Sequence, residues 1–144
     1  MSDTSFYTGK KVLVTGGTGF VGLHFVQELL RLGAKVRVPL HKRALILQDD
    51  RIETIHADLT RLEDCQKVAR GVQYIFHAAG AVSAAGVTAS NPMAAITSNL
   101  ILTSQMLQAA WMEGVERFQV FGSSTGYPAA DHAIKEEEMW EGPP

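Results

Sequence analysis

The sequence predicts an α/β fold, a doubly wound parallel sheet covered by helices. Three observations predict it. Short apolar runs alternate with longer stretches of helical periodicity along the chain. The first run, Val12-Leu13-Val14, delivers the chain to a glycine turn that opens an amphipathic stretch. Gly33, Gly71 and Gly114 then stand where successive helices should stop. Strands separated by helices pair in parallel, with right-handed crossovers.

The elements run in order along the chain. Lys11–Thr15 reads as the first strand and Phe20–Leu32 as the first helix. Lys35–Leu40 is a second strand, and Asp50–His56 contains a third, anchored by Ile52 and Ile55. Thr60-Arg61-Leu62-Glu63 has the spacing of a capping box and opens a helix running to Arg70. Gln73–His77 is a fourth strand. Ser90-Asn91-Pro92 resembles a helix entry with proline in the first turn. That helix runs to about Glu113, with Met93, Ile96, Leu100, Thr103 and Leu107 near one face, and Arg117–Phe121 is the fifth strand. Glu136-Glu137-Glu138 reads as a solvated turn or a helix start.

Composition narrows the function classes. With 46% apolar residues among 144, the chain has ample material for one core. A net charge of −2 gives no electrostatic case for nucleic acid. No apolar run approaches the ~20 residues of a membrane span. Met1–Lys11 lacks the apolar centre of a signal peptide. The lone Cys65 excludes an internal disulfide, suits a reducing compartment such as the cytoplasm, and reads as an inert packed thiol. His77 has no second histidine at a ligand spacing, so no metal is expected.

The turn itself reads Thr15-Gly16-Gly17-Thr18-Gly19-Phe20-Val21-Gly22. Gly16 and Gly17 permit backbone angles barred to residues with a Cβ. The helix points its free N–H groups and the positive end of its dipole back at the turn, where a diphosphate fits. Gly22 lets the helix lie close on the sheet. A glycine triplet alone is weak in a chain with 13 glycines. The strand before it and the helix after it supply the context that a dinucleotide fingerprint requires.

Ligands of such sheets bind beyond the carboxyl ends of the strands. Gly16, Gly19, Phe20, Val21 and Gly22 come after the first strand. His41-Lys42-Arg43 comes after the second, with no acid before Asp49. That pattern favours the 2′-phosphate of NADP, with NAD the second choice; the alternative is a charged surface loop. Asp58 and Leu59 come after the third strand. The acid can accept from an adenine amino group while the leucine flanks the ring; Asp58 also suits the turn before Thr60. Ala78, Ala79 and Gly80 come after the fourth, where small residues allow close approach of a cofactor. His77, just before them, reads as structural. Ser123-Ser124-Thr125 comes after the fifth, where hydroxyls serve equally as donors to a substrate oxygen or as turn caps.

Taken together, these motifs resemble the extended short-chain dehydrogenase/reductase family, the NAD(P)-dependent sugar-nucleotide epimerases, dehydratases and reductases. The likeness runs through Thr15–Gly22, Ala57-Asp58-Leu59, His77-Ala78-Ala79-Gly80, Asn99 and Ser123-Ser124-Thr125 before Tyr127. The ending from Ser123 to Pro128, with the acidic and Gly-Pro-Pro segments after it, is similar to GDP-L-fucose synthase-like members. The resemblance implies a Rossmann arrangement with strand order 3-2-1-4-5. It implies hydride exchange between nicotinamide and a sugar carbon, helped by a tyrosine, a lysine and a serine. Ser123 matches the serine. Thr125 stands where the dehydratases carry an acid, which argues for an epimerase or reductase. Asn99 matches a helix residue behind the site, either supporting its geometry or making a purely structural bond.

The family's Tyr-x-x-x-Lys pair should come after Ser123, and the chain ends at Pro144 before reaching it. Tyr7 and Lys11 have that spacing but precede the first strand. Residues 1–144 are therefore expected to be an incomplete dinucleotide-binding domain, inactive alone, whose substrate domain lies elsewhere. The expected partners are a small molecule, a nucleotide sugar by the resemblance, and a second copy of the full-length chain. A non-catalytic NAD(P)-binding module and a reductase of a steroid or flavonoid ketone are the other readings.

Overall fold

A computed structural model describes residues 5–81, 91, 93–122, 126–140 and 142, without the side chains of 94 and 95. Five parallel strands form one sheet: β1 Lys11–Thr15, β2 Lys35–Leu40, β3 Ile52–His56, β4 Tyr74–His77 and β5 Arg117–Val120. Their order across the sheet is β3-β2-β1-β4-β5, as expected. Among the described residues the helices are α1 Phe20–Arg31, α2 Leu62–Ala69 and α3 Met93–Met112, with a 3₁₀ helix over Glu136–Trp140 after them. The boundaries differ from the sequence reading by one or two residues, the usual fraying of element ends.

Side-chain alternation along the strands builds two cores. Val12 and Val14 of β1, Val36 and Val38 of β2 and Tyr74 of β4 pack with Val26, Leu29 and Leu30 of α1. On the opposite face, Leu13 and Ile75 pack with Cys65, Val68 and Ala69 of α2 and with Met106, Ala109 and Ala110 of α3. A sheet covered on both faces has no polar side to display, which is why the middle of β1, Val12–Val14, reads as a continuous apolar run. Cys65 is fully buried, its Sγ donating to Leu59 O at 3.2 Å. Burial pushes its thiol up to about 12, so no thiolate is available at neutral pH.

Two arginines finish the helices at the amino edge of the sheet. Arg37 Nη1 donates to the carbonyls of Val68 and Arg70 at 2.8 and 2.7 Å, while its Nε pairs with Glu53 at 2.9 Å. Arg51 Nη1 donates to Leu30 O at 2.7 Å. Arg37 satisfies last-turn carbonyls of α2, Arg51 adds a second donor to Leu30 O, which already accepts from Gly33 N at 3.0 Å, and both guanidiniums oppose the negative ends of the helix dipoles. The groove lined there by Lys11, Lys35, Arg37 and Arg51 is therefore part of the scaffold.

Two local expectations are corrected. Thr60 does not cap α2. Its hydroxyl donates to Asp58 Oδ1 at 2.7 Å, the N-cap is Arg61 without a side-chain bond, and Asp64 Oδ2 accepts from Asp58 N at 2.9 Å. The Asp58 carboxylate accepts both the Thr60 N–H and the Thr60 hydroxyl in an Asx-type turn, and this turns the side chain toward Asp58 instead of toward the first amides of α2. The second correction concerns Gly17, which has no positive φ. A Cβ there would lie 2.8 Å from Val38 Cγ1 and 3.3 Å from Val26 Cγ2. Its need is for packing room under α1, not for an unusual backbone angle.

Candidate functional site

Strand register gathers the post-strand segments at one edge. Thr15 pairs with His77, and Leu40 pairs with His56. Ala78 N donates to Thr15 O at 3.2 Å, and Ala57 N to Leu40 O at 3.0 Å. The segments after β1, β2, β3 and β4 are thus held side by side.

The glycine turn is built from two impossible Cβ positions. Gly16 has φ +67°, and a Cβ on it would lie 2.6 Å from Ala78 C and O and 2.7 Å from Ala79 N. A Cβ on Gly22 would lie 2.2 Å from Gly16 O and 2.6 Å from Gly16 C. Gly22 therefore seats α1 on the turn's own backbone rather than on the sheet. Gly19 is the N-cap of α1, in extended geometry and without a side-chain cap. Its N–H donates to Gly16 O at 2.9 Å, and its carbonyl accepts from Leu23 N at 2.9 Å. The N–H groups of Phe20, Val21 and Gly22 find no acceptor among the described residues. Phe20 is 82% exposed and no acid occupies the first turn. A bare helix N-terminus over a glycine cradle fits the charge and breadth of a diphosphate.

His41, Lys42 and Arg43 are all exposed after β2. Asp58 Oδ1 accepts from the Thr60 hydroxyl and, at 3.0 Å, from Thr60 N. These bonds, the side-chain one foremost, hold its carboxyl below the ordinary value, with smaller help from His41 and Arg61. Turn chemistry thus occupies one oxygen of Asp58, and Oδ2 has no partner among the described residues. Leu59 is only 8% exposed and belongs to the α2-side core, so it offers an edge at most.

After β4, Ala78 and Ala79 are half-buried and Gly80 is exposed. Asn99 of α3 clamps the same segment. Its Oδ1 accepts from Ala81 N at 2.7 Å, and its Nδ2 donates to Ala81 O at 3.1 Å. His77 is 2% exposed, and burial alone pulls its imidazole down to about 4. Ser123, Ser124 and Thr125 lie outside the described residues, as does Pro92. Tyr7 packs against Tyr74 and Phe76 on the α1 side, and Lys11 starts β1, so this pair sits at the amino end of the strand whose carboxyl end carries the turn.

Sequence reasoning missed Thr15. Its hydroxyl is fully buried and bonds both His77 Nδ1, at 2.8 Å, and Ala79 N, at 3.1 Å. The available signal was a polar residue directly after the apolar Val12–Val14 run.

Strand order and the position of the glycine turn place the chain in the Rossmann class of nucleotide-binding folds. It belongs to the NAD-dependent epimerase/dehydratase family, whose profile matches residues 12–144. GDP-mannose 3,5-epimerase of Arabidopsis thaliana is 28% identical over 142 residues, covering 93% of this chain and 38% of the relative. A 3 beta-hydroxysteroid dehydrogenase/Delta 5-->4-isomerase of Mycobacterium tuberculosis is 34% identical over 128 residues, covering 86% and 34%. Among solved structures, MoeE5 in complex with UDP-glucose and NAD superposes with a TM-score of 0.74 at 29% identity, covering 88% of this chain and 41% of that one. The chain thus spans less than half the length of these relatives. Among the described residues, no helix is long and apolar enough to cross a membrane.

Proposed function

We propose that residues 1–144 form the dinucleotide-binding domain of an NADP-dependent epimerase or reductase of nucleotide sugars. The uncapped N-terminus of α1 over the Gly16–Gly22 cradle carries this reading. The amides of Phe20, Val21 and Gly22 hold the diphosphate, and the Asp58 carboxylate receives the adenine amino group beside the edge of Leu59. Ala78, Ala79 and Gly80 admit the cofactor closely, and Asn99 keeps that segment in place through Ala81. A bound nicotinamide would supply reversible hydride exchange with a sugar carbon. Ser123 donates to the reacting oxygen, and Thr125, lacking an acid's proton, favours epimerase or reductase chemistry over loss of water. The nucleotide-sugar relative and the UDP-glucose complex support the substrate class.

Gly19→Val provides the test. A Cβ at Gly19 meets only Gly16 O, at 3.2 Å, so the fold should tolerate it with a small shift. NADPH binding, monitored by nicotinamide fluorescence, is expected to be lost while the melting temperature stays nearly unchanged. Retained affinity would defeat the assignment of the turn to a diphosphate.

NADP is preferred because His41, Lys42 and Arg43 are exposed after β2 with no acid among them. Replacing Lys42 and Arg43 with alanine should weaken NADPH by about tenfold or more and leave NADH within about twofold, since each lost charged hydrogen bond costs about 1.5 kcal/mol or more. Equal losses for both would remove the preference.

The steroid dehydrogenase relative, at 34% identity, favours a second reading: an oxidoreductase of a steroid alcohol or ketone on the same cofactor site. Turnover of a hydroxysteroid but of no nucleotide sugar by the full-length protein would select it.

The protein is further proposed to form a homodimer through the outer face of α3. Ile96, Leu100, Leu107 and Trp111 are 51%, 66%, 53% and 83% exposed, although Met106, Ala109 and Ala110 of the same helix are buried. A helix apolar on both sides requires cover on both. Leu100→Arg should convert a dimer to a monomer in size-exclusion chromatography with light scattering. A monomeric unaltered protein would rule the interface out.

A further inference from the structure

The amino edge of the sheet, opposite the glycine turn, holds a groove of about 280 Å³ whose lining includes Lys11, Lys35, Arg37, Asp50 and Glu53. Its arginines finish helices, but its lysines have no such task. Lys11 and Lys35 open β1 and β2 and stand directly opposite each other in the parallel register. Adjacent strands run ~4.8 Å apart, so the two exposed side chains leave the same face side by side. Like charges placed this way oppose folding. Neither ammonium has a hydrogen bond or an ion pair among the described residues. The acids of the groove do not supply one. Glu53 is held by Arg37 Nε at 2.9 Å, and the exposed Asp50 is in no ion pair among the described residues.

Arg37 adds a third cation from below. It lies two residues beyond Lys35 on the same face of β2, and its side chain is only 11% exposed. Glu53 engages its Nε, and the carbonyls of Val68 and Arg70 engage its Nη1. Nη2 has no partner among the described residues and is not sealed from solvent. A planar guanidinium anchored through its other nitrogens holds that remaining donor in a fixed direction.

We propose that this groove binds a small, multiply charged oxyanion of the phosphate class, held by the ammonium groups of Lys11 and Lys35 and by Nη2 of Arg37. The donors select the class. Two ammoniums and one guanidinium edge call for three acceptor oxygens, which a tetrahedral phosphoryl group presents and a carboxylate does not. The size selects within it: about 280 Å³ admits inorganic phosphate or a short phosphate monoester and stands at the small end of ligand sites. The site sits at the strand ends opposite those that carry the glycine turn, and it is independent of the dinucleotide reading. The bound anion ties the starts of β1 and β2 to the arginine that finishes α2, so occupancy is read as stability.

The test follows thermal unfolding of the full chain as sodium phosphate replaces sodium chloride at constant ionic strength, with glycerol phosphate as a second titrant. The melting temperature of the unaltered protein is expected to rise and saturate, with half-saturation at about 1 mM. Saturation by either titrant supports the site, and the tighter one names the source of the phosphoryl group. Lys11→Gln with Lys35→Gln should raise the half-saturation by about tenfold or more, while NADPH binding stays within about twofold. Without phosphate this double variant should melt no lower than the unaltered protein, because a like-charge pair is gone. Gly19→Val, altered at the turn, should keep the phosphate effect. A shift lost in Gly19→Val and kept in the lysine variant would put the phosphate at the turn and overturn the proposal. A rise that never saturates and is equal in the lysine variant is the general salting effect of phosphate and would also overturn it. Calorimetric titration of the unaltered protein with phosphate stands apart from every variant, and the lack of a saturable heat there would overturn the site even if no variant folds.

Discussion

Gly22→Ala is expected to destabilise the protein by about 3 kcal/mol and to abolish dinucleotide binding. The added Cβ would lie 2.2 Å from Gly16 O, 2.6 Å from Gly16 C and 2.9 Å from Gly17 Cα. All three are backbone atoms, so no rotamer change relieves the collision. Gly16 in turn is pinned by Ala78 and Ala79 on its other side. The remaining escape is to lift the first turn of α1, which pulls Val26 and Leu29 from the Val12, Val36 and Val38 core. It also breaks the bond from Gly19 N to Gly16 O at 2.9 Å and moves the amides of Phe20 and Val21 out of convergence. Urea unfolding measures the first effect and coenzyme titration the second. A variant as stable as the unaltered protein would mean that α1 does not rest on the turn as described.

Acid is expected to unfold the protein through His77. Burial holds its imidazole down to about 4, against an ordinary value of 6.5. Between these values the unfolded chain binds a proton that the native chain refuses. Unfolding therefore becomes more favourable as pH falls through that window, and stability is fully retained above it. The displacement corresponds to about 3 kcal/mol, a large part of the roughly 5–15 kcal/mol that holds a typical domain together. Below about pH 4 both states carry the proton and this contribution stops growing. The measurement is the urea midpoint at neutral pH and near pH 4, for the unaltered protein and for His77→Gln. The variant should show a flatter dependence across the window. Parallel profiles would mean that the imidazole is solvated and titrates alike in both states.

Both effects bear on how much of this molecule is legible from its residues alone. The glycine turn is legible because its requirement is local: Gly16, Gly19 and Gly22 are close in sequence, and the strand before and helix after them carry their own periodicity. Asp58 and Ala78 are legible because each stands just past a strand end, and a parallel sheet brings those ends together. Asn99 is reached only through the family resemblance, since its bonds to Ala81 cross 18 residues. The purpose of Gly17 is not legible, because Val38 comes from the next strand. The pairing of Thr15 with His77 spans 62 residues and depends on β1 and β4 being neighbours in register. Arg37 reads as a surface charge on a strand, yet it reaches 31 and 33 residues onward to finish α2. Which side of α3 faces inward is also hidden, because both sides are apolar. The small Ala109 and Ala110, with Met106, allow close approach to α2, and the larger Ile96, Leu100 and Leu107 are left outside.

The sequence by itself determined the alternation of elements, the α/β class, the place of the glycine turn and the strand ends at which a ligand would sit. These depend on periodicities of two and of three to four residues and on backbone freedom at single glycines, all of which act over a few neighbours. Tertiary structure decided which buried donor meets which acceptor, which glycine makes room for which distant atom, and which apolar helix face is left uncovered. Those outcomes require strand register and helix packing, which bring together residues whose local sequence carries no trace of one another.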